Sequence, residues 1–169
     1  MKRLPFDIVV AMDEARGIGR GGALPWHIKA DMKFFKTLTT SHAVIMGRKT
    51  WESLPTAFRP LPDRLNIVLT RQSDYPVPSG VQIYQDLDSA LLAAAKHRIF
   101  VIGGAEVFNA ALNRPGCEAL YATHIRHNFG CDTVFPEFSS LYGKVEQGEW
   151  QREGDLEFCF STYRRSIIS

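Results

Sequence analysis

The feature that most constrains the fold of this chain is a series of short apolar runs. They are rich in β-branched residues, and each is followed by polar residues or glycine. Such runs are typical of strands that are buried on both faces of a sheet. The longest run is about six residues, far below the roughly twenty needed to cross a bilayer. The runs predict strands at residues 6–12, 43–46, 65–70, 81–84 and 99–102.

Helix signals separate these runs. Met32, Phe35 and Leu38 lie on one face of an amphipathic helix at residues 29–38, and Pro25 limits its extension towards the N-terminus. Further helices are expected at residues 49–54, at 89–97 with Asp88 as the N-cap, and at 105–112. This alternation of strands and helices predicts an α/β fold, with a mostly parallel twisted sheet and helices on both faces.

The pattern changes beyond residue 112. Long strand-like runs follow at residues 120–125, 147–152 and 156–167, with few helix signals between them. These runs predict antiparallel C-terminal strands at one edge of a mixed sheet. Neither a repeat nor a linker divides the sequence, and 169 residues is the length of one domain. A single domain spanning residues 1–169 is therefore expected.

Composition excludes several classes of protein. The 20 basic and 18 acidic residues give a net charge of +2 without a basic stripe, which argues against a nucleic-acid partner. Cys117, Cys131 and Cys159 are odd in number and widely spaced, so reduced thiols are expected rather than disulfides or a metal site. The N-terminus lacks the apolar segment of a secretory signal. We expect a cytoplasmic monomer that contacts no membrane.

The glycine-rich segment at residues 17–22, GIGRGG, matches the G-x-G-x-x-G pattern of dinucleotide-binding loops. That fingerprint requires a helix to begin within the glycines, but residues 23–26 (ALPW) intervene. No acidic residue stands about twenty positions further on, as that pattern also requires. A flexible lid is the functional interpretation of this segment, and a plain surface turn is the alternative.

A second glycine signal is Gly103-Gly104, where an apolar strand leads directly into a helix. Backbone amides at such a junction can approach an anion closely. Tight packing of the strand against the helix explains the two glycines equally well. The sequence leaves both interpretations open.

Six segments, in order along the chain, resemble those of the dihydrofolate reductase family. Residues 23–36 resemble its PWxxxxDxxxF segment, residues 44–53 its IMGRxTWES segment and residues 59–66 its RPLxGRxN segment. Residues 102–105 are similar to its VIGG turn, residues 120–125 to its LYLTxI strand and residues 132–136 to its DTxFP segment. The similarity extends over residues 6–167, and the ordered set is more specific than any one motif. The thymidylate synthase half of some family members is not expected at this length.

The resemblance implies an NADPH-dependent oxidoreductase that reduces 7,8-dihydrofolate to 5,6,7,8-tetrahydrofolate for one-carbon metabolism, and that binds antifolate inhibitors. The reaction needs a hydride at C6 and a proton at N5 of the pterin. Asp31 would grip the pterin with two hydrogen bonds and promote its protonation through a water. Thr123 would hydrogen-bond Asp31, and Trp26 would hold an ordered water beside it. Without the flanking motif, Asp31 would be interpreted as an acid that complements the helix dipole.

The resemblance also implies the substrate-binding residues. Apolar side chains should wall the pterin and benzoyl rings, and Arg64 should bind the glutamate α-carboxylate. Taken individually, the apolar residues look like core and Arg64 like a solvated turn residue. The implied set is Val9, Val10, Asp31, Met32, Phe35, Leu54, Leu61, Arg64, Ile102 and Thr123.

The cofactor is expected across the ends of the strands, with Gly103-Gly104 at the pyrophosphate. Arg48, Lys49 and Arg71 would favour NADPH over NADH, because a ribose phosphate accepts charge-assisted hydrogen bonds. The implied set is Ala11, Ile18, Arg48, Lys49, Thr50, Thr70, Arg71, Gly103, Gly104, Ala105, Glu106 and Val107.

Two residues depart from common family patterns at the cofactor site. Glu106 stands where some relatives have a cation, which could weaken the preference for NADPH, and Phe108 stands where a tyrosine is common. The resemblance further implies cis peptide bonds at Gly103-Gly104 and at Arg59-Pro60.

Two other functions compete with this interpretation. A pyrimidine reductase of riboflavin synthesis shares the fold and the cofactor, but lacks the PWxxxxD segment and the equivalent of Arg64. A pterin-binding protein without catalytic activity is expected to have lost the acid at position 31. Asp31 argues against it.

Overall fold

The computed structural model describes residues 4–166. The strands are β1 (Phe6–Met12), β2 (Gly17–Gly19), β3 (Ala43–Gly47), β4 (Leu65–Leu69), β5 (Gln82–Tyr84), β6 (Ile99–Gly103), β7 (Cys117–Ile125), β8 (Thr133–Val134), β9 (Tyr142–Gln147), β10 (Gln151–Glu153) and β11 (Leu156–Arg165). The helices are α1 (Lys29–Thr39), α2 (Arg48–Ser53), α3 (Leu87–Ala93) and α4 (Ala105–Leu112), with a 3-10 turn at Thr56–Phe58.

One nine-stranded sheet forms the body of the protein. Its order is β10-β11-β7-β1-β6-β3-β4-β5, and β9 also pairs with β11. The strands from β7 to β5 are parallel, whereas β9, β10 and β11 pair antiparallel. The predicted α/β class, mixed sheet and antiparallel C-terminal strands are therefore confirmed. The strand predicted at residues 120–125 starts earlier, at Cys117, and belongs to the parallel body.

Helices cover both faces of the sheet. On one face, Phe35 and Leu38 of α1 and Trp51 of α2 pack with Val44, Met46 and Val68. On the other face, Leu91 of α3 and Phe108 of α4 pack with Ile8, Ile45 and Ile67. Fully burying one such side chain stabilises the fold by about 1.5–3 kcal/mol. No helix among residues 4–166 has the length and hydropathy to cross a membrane.

The helix predicted at residues 89–97 lies at Leu87–Ala93, and Asp88 is not its cap. Asp86 is the N-cap, and its side chain accepts a hydrogen bond of 2.8 Å from the Ser89 amide. Asp88 instead pairs with Arg114. Either aspartate satisfies the sequence rule for a cap, so the choice depended on where the helix begins.

The strands differ from the prediction in two further places. The strand predicted at residues 147–152 is interrupted, because β9 ends at Gln147 and β10 begins at Gln151. The segment predicted as a lid contains a strand, β2, which pairs with β8. Ile167, the predicted end of the last strand, lies outside the described residues.

Candidate active site

Asp31 lies in the first turn of α1, beside the central strands. The Thr123 hydroxyl, from β7, donates a hydrogen bond of 2.6 Å to Asp31 Oδ1, which confirms the expected contact. Thr123 is opposite Ala11 of β1 on one side and Phe160 of β11 on the other, so the carboxyl lies where the parallel strands meet the antiparallel ones. Burial raises the pKa of Asp31, and the Thr123 hydrogen bond opposes that effect. The site therefore holds a carboxyl group whose charged form is disfavoured.

Trp26 packs beside this carboxyl region, in an apolar cluster with Ile28, Phe158 and Ala11. It is 8% exposed. Within residues 4–166, no protein group accepts a hydrogen bond from its buried Nε1. A buried N–H without an acceptor costs free energy, and an ordered water commonly satisfies it. The indole is therefore suited to hold a water here.

An apolar wall follows the same face of the sheet. Val9 and Leu61 are buried, and Phe35, Leu54 and Ile102 pack against their cluster. These five predicted substrate-binding residues come from five different segments of the chain. Met32 is 51% exposed, as a side chain at the edge of a cleft would be.

Val10 is the exception among the predicted substrate-binding residues. Because side chains alternate along a strand, it points away from Val9 and packs in the core on the opposite face. Only its backbone is available to a ligand on the Asp31 side. The prediction that Val10 binds substrate therefore stays a prediction, and it is limited to a backbone contact.

Arg64 is held by neutral acceptors on the Asp31 side of the sheet. Its Nε donates to the Pro62 carbonyl at 2.8 Å, and its Nη1 donates to Thr39 Oγ1 at 3.0 Å. The guanidinium carbon lies 5.8 Å from the centre of the Phe35 ring. Burial lowers the pKa of Arg64, but a guanidinium stays charged at neutral pH. A positive charge thus sits at the end of the apolar wall.

The Gly103-Gly104 turn joins β6 to α4, and its peptide bond is cis, as is Arg59-Pro60. Both predictions are confirmed. Gly103 has a φ of +126°, which favours glycine. A Cβ on Gly104 would lie 3.3 Å from Thr50 Oγ1, so the turn leaves little space for a side chain.

Most of the other residues predicted to bind the cofactor lie around this turn. Met46 at the end of β3 is opposite Gly103, which brings α2, with Arg48, Lys49 and Thr50, next to the turn. Thr70 and Arg71 follow β4, the next strand in the sheet. Ala105 begins α4, Glu106 is exposed and Val107 is buried. Carboxyl ends of adjacent parallel strands are where open α/β sheets bind ligands.

Arg48 has a protein partner, Glu52, that was not predicted. Its Nη1 lies 2.9 Å from Glu52 Oε1, and the Tyr75 hydroxyl donates to Glu52 Oε2 at 2.7 Å. Both bonds lower the pKa of Glu52, and the bond from Tyr75 has a larger effect than the bond from Arg48. The Glu52 carboxylate therefore links α2 to the loop after β4. The i, i+4 spacing of Arg48 and Glu52 could have revealed one half of this link.

The predicted lid is fixed at its base by Asp13, a buried residue that the sequence analysis missed. Asp13 Oδ1 accepts from the amides of Ala15 and Gly17, at 2.9 and 2.7 Å. Oδ2 accepts from the Phe129 amide at 3.0 Å, and Cys131 Sγ lies 3.6 Å away. The backbone hydrogen bonds lower the pKa of Asp13 against the effect of burial. An acid directly after a buried strand was the available signal.

The tip of the lid has fewer contacts. Gly21 and Gly22 have positive φ, and no atom lies within 4 Å of a Cβ built on either. Leu24 is 58% exposed, whereas Ile18 packs against the core. The Gly21 amide donates to Asp132 Oδ2 at 2.9 Å. Since no helix begins within these glycines, the rejection of a dinucleotide fingerprint is confirmed.

Fold and site together define an α/β domain with a carboxyl-bearing apolar cleft next to a glycine turn, and with basic residues at the carboxyl edge of its sheet. The chain belongs to the dihydrofolate reductase family, since the family model described as "Dihydrofolate reductase" matches residues 5–165.

Relatives of two lengths resemble the chain. It is 36% identical to a dihydrofolate reductase of Heliothis virescens, covering 98% of this chain and 100% of the relative. It is 44% identical to a bifunctional dihydrofolate reductase-thymidylate synthase of Arabidopsis thaliana, covering 95% of this chain and 34% of the relative. The chain thus spans about a third of the length of that bifunctional relative.

A solved structure is also similar. The dihydrofolate reductase of Enterococcus faecalis, complexed with NADP(H) and RAB-propyl, superposes with a TM-score of 0.85 at 35% identity. The match covers 98% of both chains. This likeness extends to the whole sheet and its helices.

Proposed function

We propose that this protein reduces 7,8-dihydrofolate to 5,6,7,8-tetrahydrofolate with NADPH. The observation that carries the proposal is the Asp31–Thr123 pair, set in an apolar cleft next to the Gly103-Gly104 turn. Membership of the family and the NADP(H) complex of the similar enterococcal enzyme support it.

Asp31 is the residue to which we assign pterin binding. A carboxylate can accept two hydrogen bonds, from the pterin N3–H and its 2-amino group. Thr123 occupies one lone pair of Oδ1 and fixes the orientation of the carboxyl. A water held by Trp26 Nε1 would carry the proton towards N5 of the pterin. Val9, Phe35, Leu54, Leu61 and Ile102 exclude bulk water from the rings.

The residues at the carboxyl edge fit a dinucleotide phosphate. Gly103-Gly104 exposes backbone where a Cβ would contact Thr50, and Arg48, Lys49, Thr70 and Arg71 supply donors nearby. When bound, NADPH supplies the hydride. The protein's part is to hold the cofactor with the amides of the turn, the Thr50 hydroxyl and the basic side chains.

The preference for NADPH is predicted to depend on Arg48 and Arg71. Replacing either by alanine should raise KM for NADPH about tenfold or more while changing KM for NADH little, since a charge-assisted hydrogen bond is worth about 1.5–3 kcal/mol. Steady-state kinetics with both cofactors measure this, with Arg114→Ala, remote at the Asp88 ion pair, as control. Equal losses for both cofactors would show that these arginines do not read the phosphate.

Arg64 is predicted to bind the glutamate tail of the substrate. Arg64→Ala should raise KM for dihydrofolate about tenfold or more by the loss of a bidentate ion pair, and should spare a pterin that lacks the tail. Arg64→Lys keeps the positive charge but loses the paired N–H donors of the guanidinium. Its KM for dihydrofolate should lie between those of wild type and Arg64→Ala. If Arg64→Ala raises KM equally for both substrates, Arg64 has a structural role through its hydrogen bonds to Thr39 and Pro62.

The segment from Gly17 to Leu24 is proposed as the lid of the site. Its base is fixed by Asp13 and by β8, whereas the tip carries the exposed Leu24 and two glycines of positive φ. Closure would place Ile18 and Leu24 over the nicotinamide and exclude water.

The test of the proposed function is an absorbance assay of NADPH oxidation with dihydrofolate. A pyrimidine reductase would oxidise NADPH only with a ribosylamino-pyrimidine. A non-catalytic pterin-binding protein would bind dihydrofolate without oxidising NADPH. We expect NADPH to be oxidised with dihydrofolate as substrate and not with a ribosylamino-pyrimidine.

The proposal also covers the binding partners, the cellular compartment and the domain boundaries of the protein. Antifolate inhibitors are expected to compete with dihydrofolate for the Asp31 cleft. The three cysteines are free thiols, as reducing compartments favour, and we place the enzyme in the cytoplasm. We treat residues 1–169 as one domain that acts as a monomer, without nucleic-acid or membrane partners.

A further inference from the structure

The first turn of α1, which carries Asp31, is capped from outside the helix. Ile28 is the N-cap residue, and its side chain makes no capping hydrogen bond. The Lys29 amide donates to Glu153 Oε2 at 2.7 Å, and the Ala30 amide donates to Glu153 Oε1 at 3.2 Å. The first amides of a helix have no acceptor within it. Glu153 supplies two acceptors from more than 120 residues further along the chain.

Glu153 and Thr123 hold the same helical turn from one continuous piece of sheet. Glu153 ends β10 and is opposite Leu156, where β11 begins. Strand β11 then pairs with β7, and its Phe160 is opposite Thr123. Phe160 also stacks on Phe34 of α1, with ring centres 4.4 Å apart. Hydrogen bonds from this piece of sheet therefore fix the first turn of α1 at two places, the Lys29 and Ala30 amides and the Asp31 carboxyl.

We propose that Glu153 is a positioning residue for Asp31, fixing the first turn of α1 so that the carboxyl keeps its place beside Thr123. The inference rests on the proposed function, in which that carboxyl orients and helps to protonate the pterin. Glu153 itself touches neither substrate nor cofactor in this scheme.

The charges around Glu153 suit this role. Its hydrogen bond to the Lys29 amide is the main cause that lowers its pKa, with smaller contributions from the Ala30 amide, Lys29 and His27. Glu153 is therefore ionised at neutral and mildly acidic pH. A negative charge at the start of a helix also complements the helix dipole. On the other side of the turn, burial and the Thr123 hydroxyl set the pKa of Asp31.

A positioning role makes a prediction that a stabilising cap does not. If Glu153 acts through Asp31, its loss should matter most where the pterin depends on Asp31 for protonation. That is neutral pH, because at acidic pH the solution protonates the pterin without help. A cap that only stabilises the fold would change activity by the same factor at both pH values, or not at all.

The experiment measures kcat/KM for dihydrofolate and KM for NADPH at pH 7 and at acidic pH. Since small misplacements of a reacting group can cost up to about a hundredfold, we expect Glu153→Ala to lose about tenfold in kcat/KM at pH 7. The loss should shrink at acidic pH, and KM for NADPH should not change. Glu153→Gln keeps one oxygen acceptor and should recover part of the loss. Glu157→Ala, in the same hairpin but paired with Arg126 and Arg152, is the matched control and should resemble wild type.

A double variant separates this inference from the proposed function. In an Asp31→Asn background, Glu153→Ala should cause no further loss of dihydrofolate reduction, because the two residues act through one group. A further tenfold loss there, an equal loss at both pH values, or no loss at pH 7 would each overturn the positioning role. Failure of the proposed function itself would appear separately, as a wild-type protein that does not reduce dihydrofolate.

Discussion

Asp31→Asn is expected to melt at a higher temperature than wild type at pH 7, and to lose dihydrofolate reduction by about a hundredfold or more. The variant keeps the shape of the side chain and an oxygen that can accept from Thr123. It removes the charge that burial disfavours. One substitution should therefore stabilise the free protein and impair its chemistry.

The pH dependence of the stability change follows from linkage. The folded pKa of Asp31 lies above its unfolded value of about 4, so the native state binds the proton more tightly than the unfolded state. Above the unfolded pKa this group therefore destabilises the wild-type fold, by about 1.4 kcal/mol for each tenfold difference in proton affinity between the two states. The advantage of Asp31→Asn should be fully present above the folded pKa and should vanish as pH falls towards about 4.

Asp7→Asn is the matched control for Asp31→Asn. Burial also raises the pKa of Asp7, the largest effect on it, although Arg98 opposes that effect. Asp7 lies at the other end of β1, far from Thr123 along the paired strands. Its replacement should leave dihydrofolate reduction unchanged. Melting curves and NADPH oxidation between pH 4 and pH 8 test both variants. An Asp31→Asn protein that is less stable and fully active would remove Asp31 from the mechanism.

Sequence reasoning succeeded where local patterns carry the structural information. The spacing of Met32, Phe35 and Leu38 predicted α1, because a helix brings such residues to one face. The two glycines after an apolar strand indicated the junction between β6 and α4. The cis peptide bonds and the Asp31–Thr123 contact came from the family resemblance, since no periodicity in the chain reports them.

The missed features depend on residues that are distant in sequence. Asp13 binds Phe129 and Cys131, and Glu153 caps a helix that begins at Lys29. The position of Asp13 after a buried strand was a local signal, but it did not identify the distant partners. Nothing in the local composition distinguishes Glu153 from a solvated surface residue. Strand β2 was missed for a similar reason, because three glycine-rich residues become a strand only when β8 pairs with them. The propensity of glycine argues against a strand there, and tertiary pairing overrides it.

Gly17→Ala is expected to destabilise the protein by about 3 kcal/mol, near the upper end of typical overpacking costs, and to slow turnover. A Cβ at Gly17 would lie 2.6 Å from both Cβ and Sγ of Cys131, and 2.8 Å from Asp13 Oδ1. Something must move, and the atoms in the way belong to the buried base of the proposed lid. Displacing β2 would break the 2.7 Å hydrogen bond from the Gly17 amide to Asp13. The proposed lid would then start from a displaced β2, and its closure over the site would be impaired.

Gly19→Ala, in the same short strand, is the matched control for Gly17→Ala. A Cβ there would meet its nearest neighbours, Ala23 and Thr133, at 3.8 and 3.9 Å, which is ordinary contact. Its melting temperature should therefore stay close to that of wild type. Adding Cys131→Gly to Gly17→Ala removes two of the three close atoms. The double variant should therefore be more stable than the sum of the two single changes predicts, by about 1 kcal/mol or more. Thermal unfolding and single-turnover kinetics distinguish the outcomes. If Gly17→Ala and Gly19→Ala behaved alike, close packing at Asp13 and Cys131 would not hold the lid, and its hinge would have to lie nearer the tip, at Gly21 and Gly22.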